Sequence, residues 1–397
     1  MAGPLDGVLV ADFSRVLAGP LCTVNLADLG ATVVKVERPG TGDDTRAWGP
    51  PWSSTSSTYF ESVNRSKLSV ALDLSDPADH ALAVELATRA DVLVENYRPG
   101  ALERHGLGYE QVRSDNPGII YCSITGFGAA AGADLMGYDF VVQAVGGLMS
   151  ITGEPDGQPT KAGVALVDGL TGKDATIGVL AALASRERSG HGCRVQVNLL
   201  SSLLGSLVNQ AQSHLESGDS PRRMGNRHPS ITPYETLRCR DGLLAVACGN
   251  DGQFVRFAAV IGAPELSADS RYVTNSARVA HRDDLVAALE SALAADDAAA
   301  WATRLTAVQV PAGKVGSIAD GFALAERLGL APTADVGPGH TRQVRQAITF
   351  SPELVTSPTP PPALGADTGA VRAWLTDRSG TPLSEIHQTH PTEEVHS

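Results

Sequence analysis

Between residues 8 and 123, short apolar runs alternate with longer segments of helical spacing. Val8–Phe13, Thr32–Glu37, Ser69–Leu74, Asp91–Glu95 and Gly118–Ser123 read as strands. Pro20–Leu29 reads as a helix stopped by Gly30, and a second helix runs to Ala90 from Asp76, an N-cap followed by Pro77. Strands separated by helices need crossover connections, which are right-handed. The pattern therefore predicts an α/β chain with a parallel, doubly wound sheet in residues 1–200.

The texture then changes. A helix after Gly172 ends near Gly190, the strand Arg194–Val197 follows, and an apolar helix spans about 199–215. Ser217–Pro221 is a loop. From about Asn226 a strand at Leu243–Cys248 and alanine-rich helices read as a smaller α+β unit. Ser357–Pro362 is an extended proline segment, and the polar stretch after about Thr376 reads as a poorly ordered tail.

Acidic residues outnumber basic ones by 44 to 31, a net charge of −13, which disfavours nucleic acid and anionic membranes as partners. No apolar stretch is long enough for a transmembrane helix, and Gly7–Ala11 lacks the basic flank of a signal peptide. The five cysteines are scattered without a CxxC, as expected of reduced thiols in a cytoplasmic protein. The histidines are scattered too, and no metal site is expected.

There is no GxxxxGK[ST], GxSxG or HExxH motif. Gly126–Gly132 follows a strand and mimics a nucleotide-binding glycine pattern, but no convincing helix follows it. It reads as a loop lining a site, and no nicotinamide cofactor is expected.

Four constellations carry chemistry. Asp12–Pro20 is followed by Gly30–Gly40, with Arg38 at a strand's carboxyl end, where ligands dock on such sheets. Asn64–Lys67 precedes Leu72–Leu74, and Val94–Gly100 precedes Arg104. Arginines suit phosphates, and basic side chains are expected at three strand exits. In Gly163–Gly172, Asp168 follows an apolar run and precedes a glycine-flanked turn. It is either a helix cap or a nucleophile or base.

These segments, in this order, resemble the family III (CaiB/BaiF) CoA-transferases, the group that contains formyl-CoA transferase and the carnitine CoA-transferases. Gly137-Tyr138-Asp139 with Gln143, Gly225–Pro229, Pro233-Tyr234, Asp241-Gly242 and Pro361–Gly365 extend the resemblance to about residue 374. It implies a Rossmann-like large domain built from both chain ends, a small α+β domain, and an interlocked homodimer. The implied division is 1–200 for the first part of the large domain, 201–225 a linker helix and 226–315 the small domain. A return linker and completion of the large domain follow at 316–375, then the tail at 376–397.

By the same resemblance Asp168 falls on the catalytic aspartate. Val16, Ala18, Arg38, Leu72, Asn96, Tyr97, Arg98 and Arg104 fall on CoA-binding positions, as do Met136, Tyr138 and Asp139, with Met136 replacing a lysine of some relatives. Asn226 and His228 belong to a candidate substrate loop, which lacks the glycines of formyl-CoA transferase. The implied reaction moves CoA from an acyl-CoA to a carboxylic acid through an aspartyl anhydride and an enzyme–CoA thioester, with oxyanion donors expected in the turn after Asp168. Two alternatives stay open. The α-methylacyl-CoA racemases share the fold but use a Gly-His-Asp triplet where this chain has Gly137-Tyr138-Asp139, and tyrosine is a poor base at neutral pH. A non-catalytic CoA-binding protein would not need Asp168.

Overall fold

The computed structural model describes residues 3–53, 55–355, 357–377 and 383. Apart from Thr376, Asp377 and Leu383, the expected polar tail lies outside the described residues. The chain divides into two compact units. The first takes in residues up to Leu148, Ala162–Gly218 and the chain from Ala331 onward; the second takes in Met149–Lys161 and Asp219–Leu330.

The first unit is built on six parallel strands: β1 (Leu9–Asp12), β2 (Thr32–Glu37), β3 (Lys67–Ala71), β4 (Val92–Glu95), β5 (Ile120–Thr125) and β6 (Cys193–Asn198). Their order is β3-β2-β1-β4-β5-β6. Side chains alternate across the sheet with period two. Val10, Val33, Val92 and Ile120 face one core, with Cys22 and Leu26 of helix α1 (Ala18–Asp28). Ala11, Val34, Leu93 and Tyr121 face the other, with Leu86 of helix α2 (Pro77–Arg89) and Trp374 of the helix Thr368–Thr376. Both faces are covered, as an all-parallel sheet requires. Asp76 caps α2 through the N–H groups of Ala78 and Asp79.

The helix Thr368–Thr376 and the residue before it close the edge of the sheet. Asp367 accepts the Ser69 N–H at 2.8 Å, Thr368 Oγ1 accepts that of Ala71 at 3.0 Å, and Arg89 donates to the Trp374 and Leu375 carbonyls. The proline segment is pinned on its way there, with the Thr359 N–H on Ser66 Oγ and Arg46 on the Pro362 carbonyl.

Three local features differ from the sequence reading. Helix α3 (Asp139–Val145) stands where only a site segment was expected. The helix expected after Gly172 begins earlier, as α4 (Leu166–Ser189), so Asp168 lies in its first turn. The apolar helix of 199–215 is two helices, α5 (Leu199–Ser206) and α6 (Val208–Ser217), with Val208 at φ 45° interrupting them.

The second unit has an antiparallel sheet of β7 (Tyr234–Arg238), β8 (Leu243–Ala247) and β9 (Ala312–Lys314). Its core gathers Phe254, Phe257, Leu285, Leu289, Trp301 and Leu305. Residues 149–161 join this unit because Gly225 donates its N–H to the Gly153 carbonyl and Arg223 donates to those of Glu154 and Gly157.

Candidate active site

The strand order reverses between β1 and β4, so the chain leaves their carboxyl ends toward opposite edges of the sheet. A crevice opens at such a switch point. A cavity of about 230 Å³ lies there, walled by Arg15–Ala18 after β1, Asp44, Asn96–Pro99 after β4, Ile124, Thr125, Gly126 and Gly128 at the end of β5, the 132–138 loop and Asp168. A second cavity of about 380 Å³ is lined by Lys35–Glu37 at the end of β2, Arg38, Pro39 and Thr41–Asp43 after it, Leu72–Ser75 after β3, and His105. Arg15 and Tyr97 line both.

The turn after β1 is held from below by buried charge. Val16 has φ 69°, a strained conformation for a β-branched residue. Asp43 holds it by accepting the Val16 N–H on both oxygens, at 3.2 and 3.3 Å, while Asn96 bridges the Arg15 N–H and C=O at 2.9 and 2.7 Å. Lys35 Nζ lies 2.9 Å from Asp43 and donates to the Ser14 carbonyl. Asp12 accepts from Ser14, Thr23 and, at 3.1 Å, Lys67 Nζ. Burial opposes ionisation of Asp12, but Lys67 and Lys35 outweigh it and hold the carboxyl near 2. Burial lowers Lys67 to about 8, against the pull of Asp12.

Asp168 owes its place to Asp139. One oxygen of the buried Asp139 accepts the N–H groups of Val167 and Asp168, at 2.6 and 3.0 Å, and the other accepts from Gln143 Nε2. A carboxylate from α3 thus caps α4, whose own N-cap residue, Ala165, has no side chain able to do so. The Asp168 carboxylate faces the first cavity and accepts no hydrogen bond among the described residues. Burial, and then the Asp139 charge, pushes its carboxyl up to about 7. The positive end of α4 opposes that rise by ~0.3–1 kcal/mol. Burial followed by the Asp168 and Asp139 charges likewise pushes the Tyr59 hydroxyl up to about 12.

The first cavity brings together Asp168, Val16, Ala18, Asn96, Tyr97, Arg98, Met136 and Tyr138. Arg98 touches the Met136 sulfur. Arg38 and Leu72 line the second cavity with Tyr97, and Arg38 pairs with Asp44. Arg104 sits exposed on a short 3₁₀ turn and lines neither. Asp139 is a helix cap rather than part of a cavity wall. Arg15, Arg38 and Arg98 follow β1, β2 and β4 on the cavity walls. Of the expected basic segments, Arg65 and Lys67 do not stand at a strand exit: they lie at the start of β3 and are buried against Asp28 and Asp12. Nor does a loose turn of oxyanion donors follow Asp168. That stretch is helix, the N–H groups of Val167 and Asp168 serve Asp139, and that of Gly169 serves the Ala165 carbonyl.

Asn226 and His228 lie in the second unit. Asn226 bonds Thr236, while the His228 ring accepts the Ser230 N–H and sits 5.0 Å from the Tyr234 ring. Among the described residues no cluster of three or more His, Cys, Asp or Glu could hold a metal ion. Arg15, Asp43, Asp44, Lys35 and Tyr59 were not singled out from the sequence.

The chain is 43% identical over 400 residues to a succinate–glutarate CoA-transferase of Agrobacterium fabrum, covering 96% of this chain and 98% of that protein. It is 42% identical over 369 residues to the succinyl-CoA:glutarate CoA-transferase of Mus musculus, covering 92% and 85%. The crystal structure of a CAIB/BAIF family protein from Brucella suis matches with a TM-score of 0.86 and 42% identity, over 94% of this chain and 100% of that one. The profile of CoA-transferase family III matches residues 5–368, which takes in both compact units and the closing strand-edge residues Asp367 and Thr368. A match that spans the sheet, the crevice and the segment that closes the sheet edge places the chain in CoA-transferase family III.

Proposed function

We propose that Asp168 is the nucleophile and that the substrates are dicarboxylic acids and their CoA thioesters. As a member of its family the protein moves CoA from an acyl-CoA to a carboxylic acid. A carboxylate oxygen of Asp168 attacks the donor thioester carbonyl, the C–S bond breaks, and CoA leaves as thiolate from a mixed anhydride. The thiolate attacks the aspartyl carbonyl and expels the donor's acid, leaving CoA on Asp168. An acceptor carboxylate then reverses the two steps. No electron is transferred between molecules and no Lewis acid is needed, so neither nicotinamide nor metal enters the scheme.

The observation that carries this reading is the unpaired Asp168 carboxylate on the cavity wall, with a proton affinity near neutrality. Such a carboxylate is poorly solvated and correspondingly nucleophilic. The substrates that the mouse relative is named for, succinyl-CoA and glutarate, are a dicarboxylate and the thioester of another, which supports the substrate class. We assign CoA to the two cavities, with Val16, Ala18, Asn96, Tyr97, Arg98, Met136 and Tyr138 around the thioester arm and Arg38 and Leu72 farther out. The test is to mix the enzyme with succinyl-CoA, add hydroxylamine, and locate the adduct by peptide mass spectrometry. A hydroxamate at Asp168 is expected; transfer that survives Asp168→Asn sinks the reading.

The interlocked homodimer is part of the same proposal. Ile177 on α4, Leu204 on α5, and Val208 and Leu215 on α6 are exposed apolar side chains that a second copy would cover. Light scattering should return twice the 41.2 kDa chain mass. A cytoplasmic setting accords with five free cysteines, and no helix among the described residues is long and apolar enough to cross a membrane.

A further inference from the structure

We infer that Arg15 is the specificity residue for dicarboxylates: its guanidinium binds the carboxylate at the end of the acyl chain remote from the reacting carbonyl. The inference rests on the proposed reading of Asp168 as nucleophile and of dicarboxylates as substrates.

Among the described residues Arg15 is the one cation that lines both cavities, and its position is set by its own neighbours. Asn96 grips its backbone at both the N–H and the carbonyl. Its guanidinium lies over the Tyr97 ring, 4.8 Å from the centroid. Yet its hydrogen bonding is incomplete. Nε is buried and has no partner among the described residues. Nη1 comes only to 3.6 Å of Asp44, and Asp44 is engaged by Arg38 at 2.5 Å. Buried donors in native proteins are nearly always satisfied, so an orphaned guanidinium N–H on a cavity wall points to an acceptor that arrives with the ligand.

The chemistry of that acceptor follows from the neighbours. The carbonyl under attack must touch Asp168, so the acyl chain lies in the cavity that Asp168 and Arg15 share. The other cation on that wall, Arg98, rests against the Met136 sulfur and is more open to solvent. A guanidinium edge matches a carboxylate in a two-point, planar fashion, and drying the pair strengthens it. The solvated phosphates of CoA suit the exposed Arg38, whereas a small carboxylate carried inward suits Arg15.

Glutarate and pentanoate, which differ only by a terminal carboxylate against a methyl, test this as acceptors with succinyl-CoA as donor. In a ping-pong enzyme the ratio of their kcat/KM values reports the acceptor half-reaction alone. The wild type is expected to favour glutarate by about 100-fold or more. Arg15→Gln is expected to cut that ratio at least about tenfold, and Arg15→Lys, which keeps the charge but not the fork, at least about threefold. CoA affinity, measured by calorimetry on the same proteins, is the second readout. A wild-type ratio retained in Arg15→Gln overturns the assignment while the dicarboxylate reading stands. Weakened CoA binding with an unchanged ratio also overturns it and makes Arg15 a phosphate ligand. A wild type without preference overturns the dicarboxylate reading and the assignment with it. If Arg15→Gln does not fold, as judged by its thermal melt, an unchanged ratio in Arg15→Lys overturns the assignment.

Discussion

Asp139 accepts the backbone N–H of Asp168 at 3.0 Å and, through its charge, also raises the proton affinity of the Asp168 carboxyl. One carboxylate therefore fixes where the second sits and adds to the effect of burial on how readily it ionises.

The pH profile follows from this pair. If Asp168 is the nucleophile proposed above, attack needs its ionised form, and burial and then Asp139 push its carboxyl up to about 7. We expect kcat/KM to fall about tenfold per pH unit on the acid side and to level off above about 7. Asp139→Asn removes the like charge and should move the midpoint to lower pH. A flat profile from pH 5 to 8 in the wild type would contradict this.

Stability should run the other way at the same residue. The folded-state value of Asp168 is raised above that of the unfolded chain, so its contribution is fully favourable only below the unfolded value of ~3.9 and is lost as pH rises through about 7. Asp168→Asn should then melt higher than the wild type at pH 8, with the difference vanishing near pH 4. Equal melting at pH 8 is the outcome that counts against it.

Gly126 and Gly137 touch backbone to backbone beneath the first cavity. A Cβ on Gly137 would stand 2.4 Å from the Gly126 Cα, and main-chain atoms cannot step aside as a side-chain tip can. Gly137→Ala should part the two loops, weakening CoA binding about 10- to 100-fold with little change in melting temperature. Calorimetric CoA affinity within twofold of wild type would refute it.

Lys67 and Asp12 are both fully buried. Lys67→Met leaves Asp12 with Lys35 but without its nearest counter-charge, and breaking such a pair from one side typically costs ~3–5 kcal/mol. Urea unfolding should show a loss of this size; under 1 kcal/mol would mean that Lys35 alone neutralises Asp12.

The parallel sheet was legible because Val-rich runs and helix caps are local signals; Asp76 with Pro77 is one, and it caps as read. The sequence singles out Asp168 by its glycine-flanked setting, and the structure puts it on the wall of the first cavity. What surrounds it was less legible. Asp139 reads as a site residue in sequence, but its role as the cap of a helix beginning 27 positions later is a tertiary fact. Thr32-Val33-Val34-Lys35-Val36-Glu37 reads only as a strand, and nothing local marks Lys35 as the buried partner of Asp43. Arg65 and Lys67 misled for the same reason, since a basic run looks alike whether it meets a ligand or a buried carboxylate.

The link between Ser69 and Asp367 spans 298 positions. During synthesis the edge strand β3 leaves the ribosome long before the residues that occupy its outer N–H groups. For most of translation the nascent large unit carries an open strand edge, a template for mispairing with other chains. Its yield in a cell should therefore depend on how fast the final segment is delivered and on holding chaperones that shield the edge meanwhile.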